Sequence, residues 1–575
     1  MRKCCSPKLH SDPDFAGLPD SRGVNLYRAD PGYAGLLALY LPPALHAHLA
    51  PHFERLGELA GGELDALAAS ADRNPPVLRQ RTRTGEERQS IEKHPAYRRL
   101  EEVAFGEYGL AAMSHRAGVL GWPEPLPPLA KYALTYLYVQ AEFGVCCPLS
   151  MTDALTRTLR RFDPALAARY LPALTSQDLD SLAQGAMFMT EQGAGSDVGA
   201  SATRAVRDGE RWRLTGDKWF CSNADADFAL VLARPEGAPG GTKGLSLFLL
   251  PKTLEDGRPN ACRIIRLKDK LGTRDMPSGE IRLEGALAFL VGEAQRGFVQ
   301  MADMINMSRL SNGMRAAGMM RRALTEALFV ARRRVAFGKP LIALALMRRQ
   351  LLKLMLPAEA ARSVMLYTAA ELAKADAGDE AARRRVRLLT PLLKFRACRD
   401  ARRVTGDAME VRGGVGYTEE WPDARLLRDA HLGSIWEGTS NIVALDVLRA
   451  IRREDALEAL EPALEALLPR GGFGAALGHA LGRACRFAAG ADEANARQAA
   501  SGLYYAAAAA IMAHEGERLG AQGDARRLLL ALLALRHRLL PREPLEPAHD
   551  DALAEALLPE TPVTPAAAQA LESRP

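Results

Sequence analysis

The chain has 575 residues, 48% hydrophobic and 25% charged, with a formal net charge of +6; these are globular values for a chain too long for one core. No apolar run reaches the ~18 residues of a membrane-spanning helix, and the basic start Met1-Arg2-Lys3 leads into no apolar stretch of the kind that marks a secretory signal. The 8 cysteines form no CxxC pair and the 11 histidines no HExxH, so no metal site is expected, and adjacent Cys4-Cys5 and Cys146-Cys147 read as reduced thiols of a soluble, cytoplasmic protein.

Residues 1 to about 30 read as an extended arm. From 31 to 184 the pattern is helical, broken at Asn74-Pro75-Pro76 and at Pro123 to Pro128; an all-helical domain is expected there. From 185 to 295 the texture changes to short apolar runs between Gly, Pro, Asn and Asp. Arg211 to Gly216, Phe228 to Leu232 and Leu245 to Leu250 are followed by Ala261 to Leu267 and Gly279 to Leu283. This spacing predicts a mostly antiparallel β domain. From 296 to 453 long helices are predicted over Met301–Arg334, Leu341–Lys374, Arg383–Met409 and Asn441–Arg453. Residues 454 to 575 are Ala/Leu-rich and helical, ending in a Pro/Ala tail from Pro559. The fold class is α+β, in the order α, β, α and a further helical extension. Gly193-Ala194-Gly195 follows no strand-to-helix GxGxxG pattern, so a Rossmann unit is not expected.

Five stretches carry chemistry-bearing residues. Met187 to Asp197 is a glycine-rich loop with Thr190 and Ser196, suited to close approach by a flat or charged ligand. Gly216 to Asn223 sets aromatic residues beside Ser222. Arg332 to Pro340 ends a helix in cations, favourable there in any protein and also suited to a pyrophosphate. Met409 to Tyr417 supplies a second glycine turn. In Ser434 to Asn441, one carboxylate, Glu437, sits between Ile435-Trp436 and a hydroxyl-rich run. A carboxylate against indole and aliphatic surface is disfavoured as an anion, so a raised pKa, useful in a general base, is expected. Thr439 or Ser440 is expected to cap the next helix and turn its amides toward an anion.

In their order and spacing these motifs (MTEQGAGSD, GDKWFCSN, RRVAFGKP, GGVGYTEE, LLRDA and IWEGTSN) resemble the acyl-CoA dehydrogenase family from about Arg98 to Arg449. The resemblance implies a helical domain, a β domain and a C-terminal four-helix bundle, FAD as cofactor, an acyl-CoA substrate and a homotetramer sharing FAD sites. It implies Glu437 as the base that takes the α-proton while the β-hydrogen leaves as hydride to flavin N5. It places Ser222 at N5 and Phe220, where Trp is usual, beside the isoalloxazine. Met189, Thr190 and Ser196 fall on the flavin-contacting loop. Arg334 and Phe337 match positions reaching a neighbouring subunit's FAD, and Glu410 (usually Gln), Gly413 and Gly414 match the adenine and pyrophosphate loop. Ile435, Trp436, Gly438, Thr439 and Asn441 complete the cofactor edge; Ser196, Ser222 and Arg309 fall on the substrate side.

Within the family the chain further resembles the alkylation-response flavoprotein (AidB) subgroup. Asn74-Pro75-Pro76 with His94-Pro95-Ala96-Tyr97, Cys147 to Thr152, Leu267 to Gly272, and Trp436 in place of the usual Tyr carry this resemblance, together with the C-terminal extension. The subgroup's association with double-stranded DNA and alkylation protection points to a basic face, for which Arg396, Arg399, Arg403, Arg449, Arg452 and Arg453 are the candidates. Acidic residues of the tail, among them Glu543, Glu546 and Glu560, oppose it. The expected function is an AidB-type flavoprotein with weak dehydrogenation of short or branched acyl-CoA. The alternative is a metabolic dehydrogenase with no DNA role; Asn306 and Ala345, which depart from common family residues, weigh against efficient turnover.

Overall fold

Proline sets the first helices. Pro31 and Pro43 stand in the first turns of α1 (Pro31–Tyr40) and α2 (Pro43–Gly61), where a missing N–H costs nothing. The computed structural model describes residues 18–543, 545, 547 and 550–572. Cys4-Cys5, the first part of the arm, Glu546 and the last residues of the tail lie outside the described residues. Residues 18–30 are non-helical, as expected, but they are bound to α2: Gly23 N donates to Gly61 O (2.7 Å) and Leu26 N to Gly57 O (2.9 Å).

After α3 (Glu63–Arg73) the structure departs from the all-helical expectation. Asn74-Pro75-Pro76 launches a hairpin, β1 (Val77–Arg81) and β2 (Glu87–Glu92). Its residues are mostly polar and largely exposed, with too few apolar side chains to show a strand period, although Leu78 and Ile91, paired across it, pack on the β-domain core. The hairpin is instead held from outside. Gln80 Nε2 donates to Ile265 O (3.1 Å), and Ile264 N donates to Gln89 Oε1 (2.6 Å). The helices resume with α4 (Pro95–Glu101), α5 (Pro128–Tyr138), α6 (Cys146–Phe162) and α7 (Pro164–Leu174).

The β domain comprises β3 (Gly185–Phe188), β4 (Arg204–Asp208), β5 (Arg211–Ser222), β6 (Phe228–Pro235), β7 (Ser246–Pro251), β8 (Cys262–Leu267) and β9 (Ser278–Leu290). Its strands close on themselves through β6-β4-β5-β9-β7 and back to β6, with β3 on β6 and β8 on β9. The pairings are antiparallel except β3–β6 and β4–β6. Strand alternation feeds two cores. Ala229, Val231, Phe248 and Leu250 fill the inside of the sheet, while Leu230, Leu232, Leu247 and Leu249 pack on the helical body.

The helical body is built on α8 (Gly297–Arg333), 37 residues and about 56 Å long. It is buried on all sides by α9 (Ala345–Asp376), α10 (Glu380–Arg412), α5, α6 and α11 (Pro422–Gly433). A short hairpin, β10 (Val335–Ala336) with β11 (Lys339–Pro340), joins α8 to α9, and α12 (Ser440–Glu454) packs on α10. The extension adds α13 (Ala456–Glu465), α14 (Gly472–Gly490), α15 (Ala496–Gly520), α16 (Arg526–Ala534), α17 (Asp551–Leu557) and α18 (Pro565–Glu572). None of the described helices is long and apolar enough to cross a membrane.

Buried charges fasten the extension to the bundle. Arg527 of α16 pairs with Glu359 of α9 (2.7 Å) and Glu515 of α15 (2.6 Å). Glu359 also holds Arg362, which pairs with Asp30, and Arg321 of α8 pairs with Glu560 (2.8 Å). Removing one partner from such a network leaves an uncompensated buried charge. Arg527→Met is therefore expected to destabilise by about 3–5 kcal/mol, read as a lower urea midpoint followed by circular dichroism, with earlier proteolytic release of the C-terminal helices.

Candidate active site

The turn between α11 and α12 sets the site. Glu437 has φ 55 and Gly438 φ 96, so two successive left-handed residues reverse the chain and turn the Glu437 carboxylate back onto α8. A glutamate in this region is strained, and such strain persists only where its surroundings enforce it. Here α8 and α10 do so. Ser308 Oγ donates to Glu437 Oε1 and Asn312 Nδ2 to Oε2; these residues are four apart and share one helix face. Arg309 Nε donates to the Glu437 backbone oxygen (3.1 Å) while its Nη1 donates to Asp446 of α12 (2.7 Å). Lys394 of α10 donates to Gly438 O, and burial pushes its ammonium pKa down to about 8.

The apolar surround expected for Glu437 is therefore not what the fold builds. The Trp436 ring turns the other way, stacked on Phe143 at 5.9 Å and 5.0 Å from the Arg315 guanidinium, and the carboxylate meets two polar donors. The reason is tertiary: the turn closes against α8, and the facing residues there are Ser308 and Asn312. Thr439 occupies the N-cap position of α12 but makes no side-chain cap bond; Ser440 accepts instead from Arg399 (3.3 Å). Ile435, Thr439 and Asn441 are exposed, and Trp436 and Gly438 are half-buried.

The glycine-rich loop and the end of β5 meet through one backbone bond, Trp219 N to Thr190 O (2.8 Å). Glu191, buried beneath the loop, accepts from Lys218 Nζ (2.7 Å), Thr203 Oγ1 (2.6 Å), Ala202 N (2.6 Å) and Ser201 Oγ. Burial alone would raise this carboxyl, but Lys218 and the two hydroxyls outweigh it and hold its pKa down to about 2. Met189, Thr190 and Ser222 are half-buried, and Ser196 is exposed in the turn. Phe220 is 54% exposed, with Lys268 Nζ 4.7 Å from its ring. Cys147 of α6 is buried, and burial pushes its thiol up to about 11, with Arg315, Glu437, Lys270 and Ser222 among the groups that act on it.

The remaining predicted residues form a second cluster. Arg334 Nη1 donates to Arg412 O (2.8 Å) and lies 3.1 Å from where a Cβ on Gly413 would stand. Gly413 has φ 80, and nothing lies within 4 Å of a Cβ built on Gly414. Glu410 accepts from Gln350 Nε2 (3.4 Å), and Phe337 is 91% exposed. Between α6, α8, α10 and α12 opens a cavity of about 1200 Å³ whose wall includes Lys131, Arg157, Asn306, Arg309 and Arg449.

The two clusters fit a flavin dinucleotide by their donor chemistry. Arg334 beside a floor without Cβ atoms suits a pyrophosphate. Ser222 with half-buried Trp219 and exposed Phe220 suits the edge and face of a ring. The buried Trp436 Nε1 has no hydrogen-bond partner.

Of the basic residues, Arg396 is half-buried and paired with Asp400 (2.5 Å), which does not match the free phosphate contact expected from sequence, whereas Arg452 is exposed and donates one N–H to Ala491 O. Lys394, Arg385 and Arg387 are likewise used inside, by Gly438, Glu371 and the Asp446–Glu454 pair. Arg403, Arg449 and Arg453 remain exposed. Arg399 is pushed down by burial and by its neighbours Arg497, Arg396 and Arg402, a crowding of like charge.

Three family descriptions cover the chain in order: the adaptive response protein AidB N-terminal domain over residues 18–181, the acyl-CoA dehydrogenase middle domain over 186–286 and the acyl-CoA dehydrogenase C-terminal domain over 295–452. The putative acyl-CoA dehydrogenase AidB of Escherichia coli is 36% identical over 71% of this chain and 74% of its own. Acyl-CoA dehydrogenase family member 11 of Caenorhabditis elegans is 32% identical over 77% of this chain and 73% of its own. The solved structure of C. elegans ACDH-11 in complex with C11-CoA superposes with a TM-score of 0.84 at 26% identity, covering 93% of this chain and 95% of that one. The chain belongs to the acyl-CoA dehydrogenase family. It is an AidB-like member, an oxidoreductase of a flavoprotein family whose proteins use FAD.

Sequence reading missed Ser308, Asn312, Lys394 and Glu191. The spacing of Ser308 and Asn312 was a usable signal, since two polar residues four apart on an otherwise buried helix need a partner; Lys394 and Glu191 carried none. Glu191 gives a pH test. Its depressed pKa contributes stability that is fully present above the ordinary value of 4.5 and lost as pH falls from there to about 2. The wild type is expected to lose stability through that window in urea titrations, and Glu191→Gln to be less stable at neutral pH and to lose less across it, the remaining loss coming from other depressed carboxyls such as Asp65 and Asp446.

Proposed function

We propose that this protein is an FAD-dependent dehydrogenase of short or branched acyl-CoA thioesters, with Glu437 as the base. The observation that carries this reading is a single carboxylate held on a strained turn by Ser308 and Asn312 of α8. Flavin, when bound, supplies a hydride acceptor at N5. The chain's own residues do the rest. Glu437 accepts the α-proton of the thioester, exchanging its bonds to Ser308 and Asn312 for that proton. Those donors hold the carboxylate aimed until substrate arrives. Arg309 and Lys394 fix the backbone on either side of the turn. Trp436, packed on Phe143, closes the site to water, and Ser222 orients the flavin edge. The cavity beside Arg309 has room for the rest of the thioester, and the C11-CoA carried by ACDH-11 supports this ligand class. Exposed Phe337 and the Arg334–Gly413 cluster suit FAD shared between subunits of a homotetramer.

A second role, binding of double-stranded DNA in an alkylation response, is favoured by one observation. Arg399, Arg402 and Arg497 crowd together near the start of α12 with little acid among them, and a polyanion relieves such crowding. Arg403, Arg449 and Arg453 extend the exposed cations.

Anaerobic mixing with a panel of acyl-CoA thioesters is expected to bleach the flavin. Glu437→Gln should keep its FAD and lose the reaction by about 10²–10⁴-fold; retained bleaching in that variant would show that another group is the base. For DNA, log affinity against log salt should fall linearly, and Arg399→Ala should reduce the slope by about 1. Absence of binding to a duplex at low salt removes that role.

A further inference from the structure

Lys270 is a half-buried cation that the reaction described above does not use. It stands in the loop between β8 and β9 and donates to two neutral oxygens, Met276 O (2.6 Å) and Ser278 Oγ (3.0 Å). Ser278 lies directly opposite Ser222 in the β5–β9 register. Residues paired in this way project to the same face with Cβ atoms about 5 Å apart. The lysine is thus one hydroxyl removed from Ser222, and Cys147 senses both.

The loop that carries Lys270 is clamped. A Cβ on Gly272 would stand 2.7 Å from the Arg428 carbonyl and from Asp429 Oδ1, a closeness to α11 that only glycine permits. The next residue, Thr273, has φ 50 and donates its N–H to Asp429 Oδ1 (2.7 Å). Two acids act on the lysine, Asp275 from its own loop and Asp429 from α11; Glu142, from the turn after α5, acts on Asp275, as do Asp72 and Arg425. Burial raises all three carboxyls, Asp429 to about 7, so this acid cluster carries less negative charge than its residue count suggests. Burial likewise pushes Lys270 down to about 8, against Asp275, Cys147 and Asp429, which support its charge. An ammonium drawn largely out of water, bonded to neutral oxygens and only partly offset by acid, is costly to keep. Its position suggests what it serves.

We propose that Lys270 is a positioning residue for the flavin: through Ser278 it orients the Ser222 hydroxyl, and its charge favours the electron-rich, reduced cofactor over the oxidised one. The inference rests on the reading that the flavin edge meets Ser222. It assigns the buried acids a task as well, since Asp275 and Asp429 keep the lysine protonated near neutral pH.

The test uses the purified holoenzyme and reads the midpoint potential of its flavin by equilibrium dye titration from pH 6 to 10. In the wild type the charge is present below about 8 and lost above it, so the potential should show an added downward inflection there. Lys270→Met should lower the reduced-to-oxidised ratio tenfold at pH 7, about 30 mV for a two-electron couple, and abolish the inflection. Lys270→Arg should restore the potential and show no inflection in the range. Asp275→Asn, which leaves the lysine in place, should move the inflection below 8, and this arm stands if the Met variant fails to fold. Flavin content and circular dichroism accompany each variant. An unchanged potential and pH profile in flavin-replete Lys270→Met, or an unmoved inflection in Asp275→Asn, overturns the inference. Ser222→Ala separates the layers. If it leaves the flavin spectrum and potential untouched, the flavin does not lie at Ser222 and the underlying reading falls with the inference. If it shifts them while Lys270→Met does not, only the inference falls.

Discussion

Ser308, Arg309 and Asn312 on α8 grip the turn at Glu437 through its carboxylate and its backbone, and the site depends on that grip. A left-handed glutamate followed by a left-handed glycine is not a conformation that a free loop holds. The restraint comes from a helix buried on every side, which has no freedom to follow the turn if the turn moves. The carboxylate is thereby fixed relative to the helical body.

The same helical body carries an unusual load of buried charge. Arg321, Arg322, Arg362, Arg412, Arg425, Arg428 and Arg527 are all buried and paired with acids. Each pair is a weak source of net stability against an apolar alternative, but it is strongly intolerant of losing one member. Such a network specifies register: the arm at Asp30, α9, α15 and α16 meet in one arrangement because only that arrangement neutralises every charge. It also explains why arginine counts along α10 overstated its basic face. Arg385, Arg387 and Arg396 are spent inward, and a linear sequence does not say which face of a helix a neighbour will cover.

Much of the architecture was legible. The change from helical to strand texture near residue 185 and back near 296 followed from periodicity, and the long helices were read to within a few residues because their apolar patterns run for many turns. The β1–β2 hairpin was not legible, because its residues are mostly polar and it is held across a domain boundary, by bonds to Ile264 and Ile265 and by Leu78 and Ile91 packed on the β-domain core. Glu437 was legible as the carboxylate of interest from its neighbours Trp436 and Gly438, yet its surroundings were misread. Adjacent residues in sequence suggested an apolar setting, whereas the groups in contact come from α8, more than a hundred positions away.

The amino-acid sequence by itself determined the order of the layers, the family to which the chain belongs and the identity of the one carboxylate on the turn. These rest on local propensity and on motifs whose residues lie side by side. Only the tertiary structure decided that Ser308 and Asn312 face that carboxylate, that Arg396 turns inward, and that Lys270 stands behind Ser222. Those facts depend on helix rotation, strand register and loop closure, which are settled by packing the whole chain at once and leave no mark in any short stretch of it.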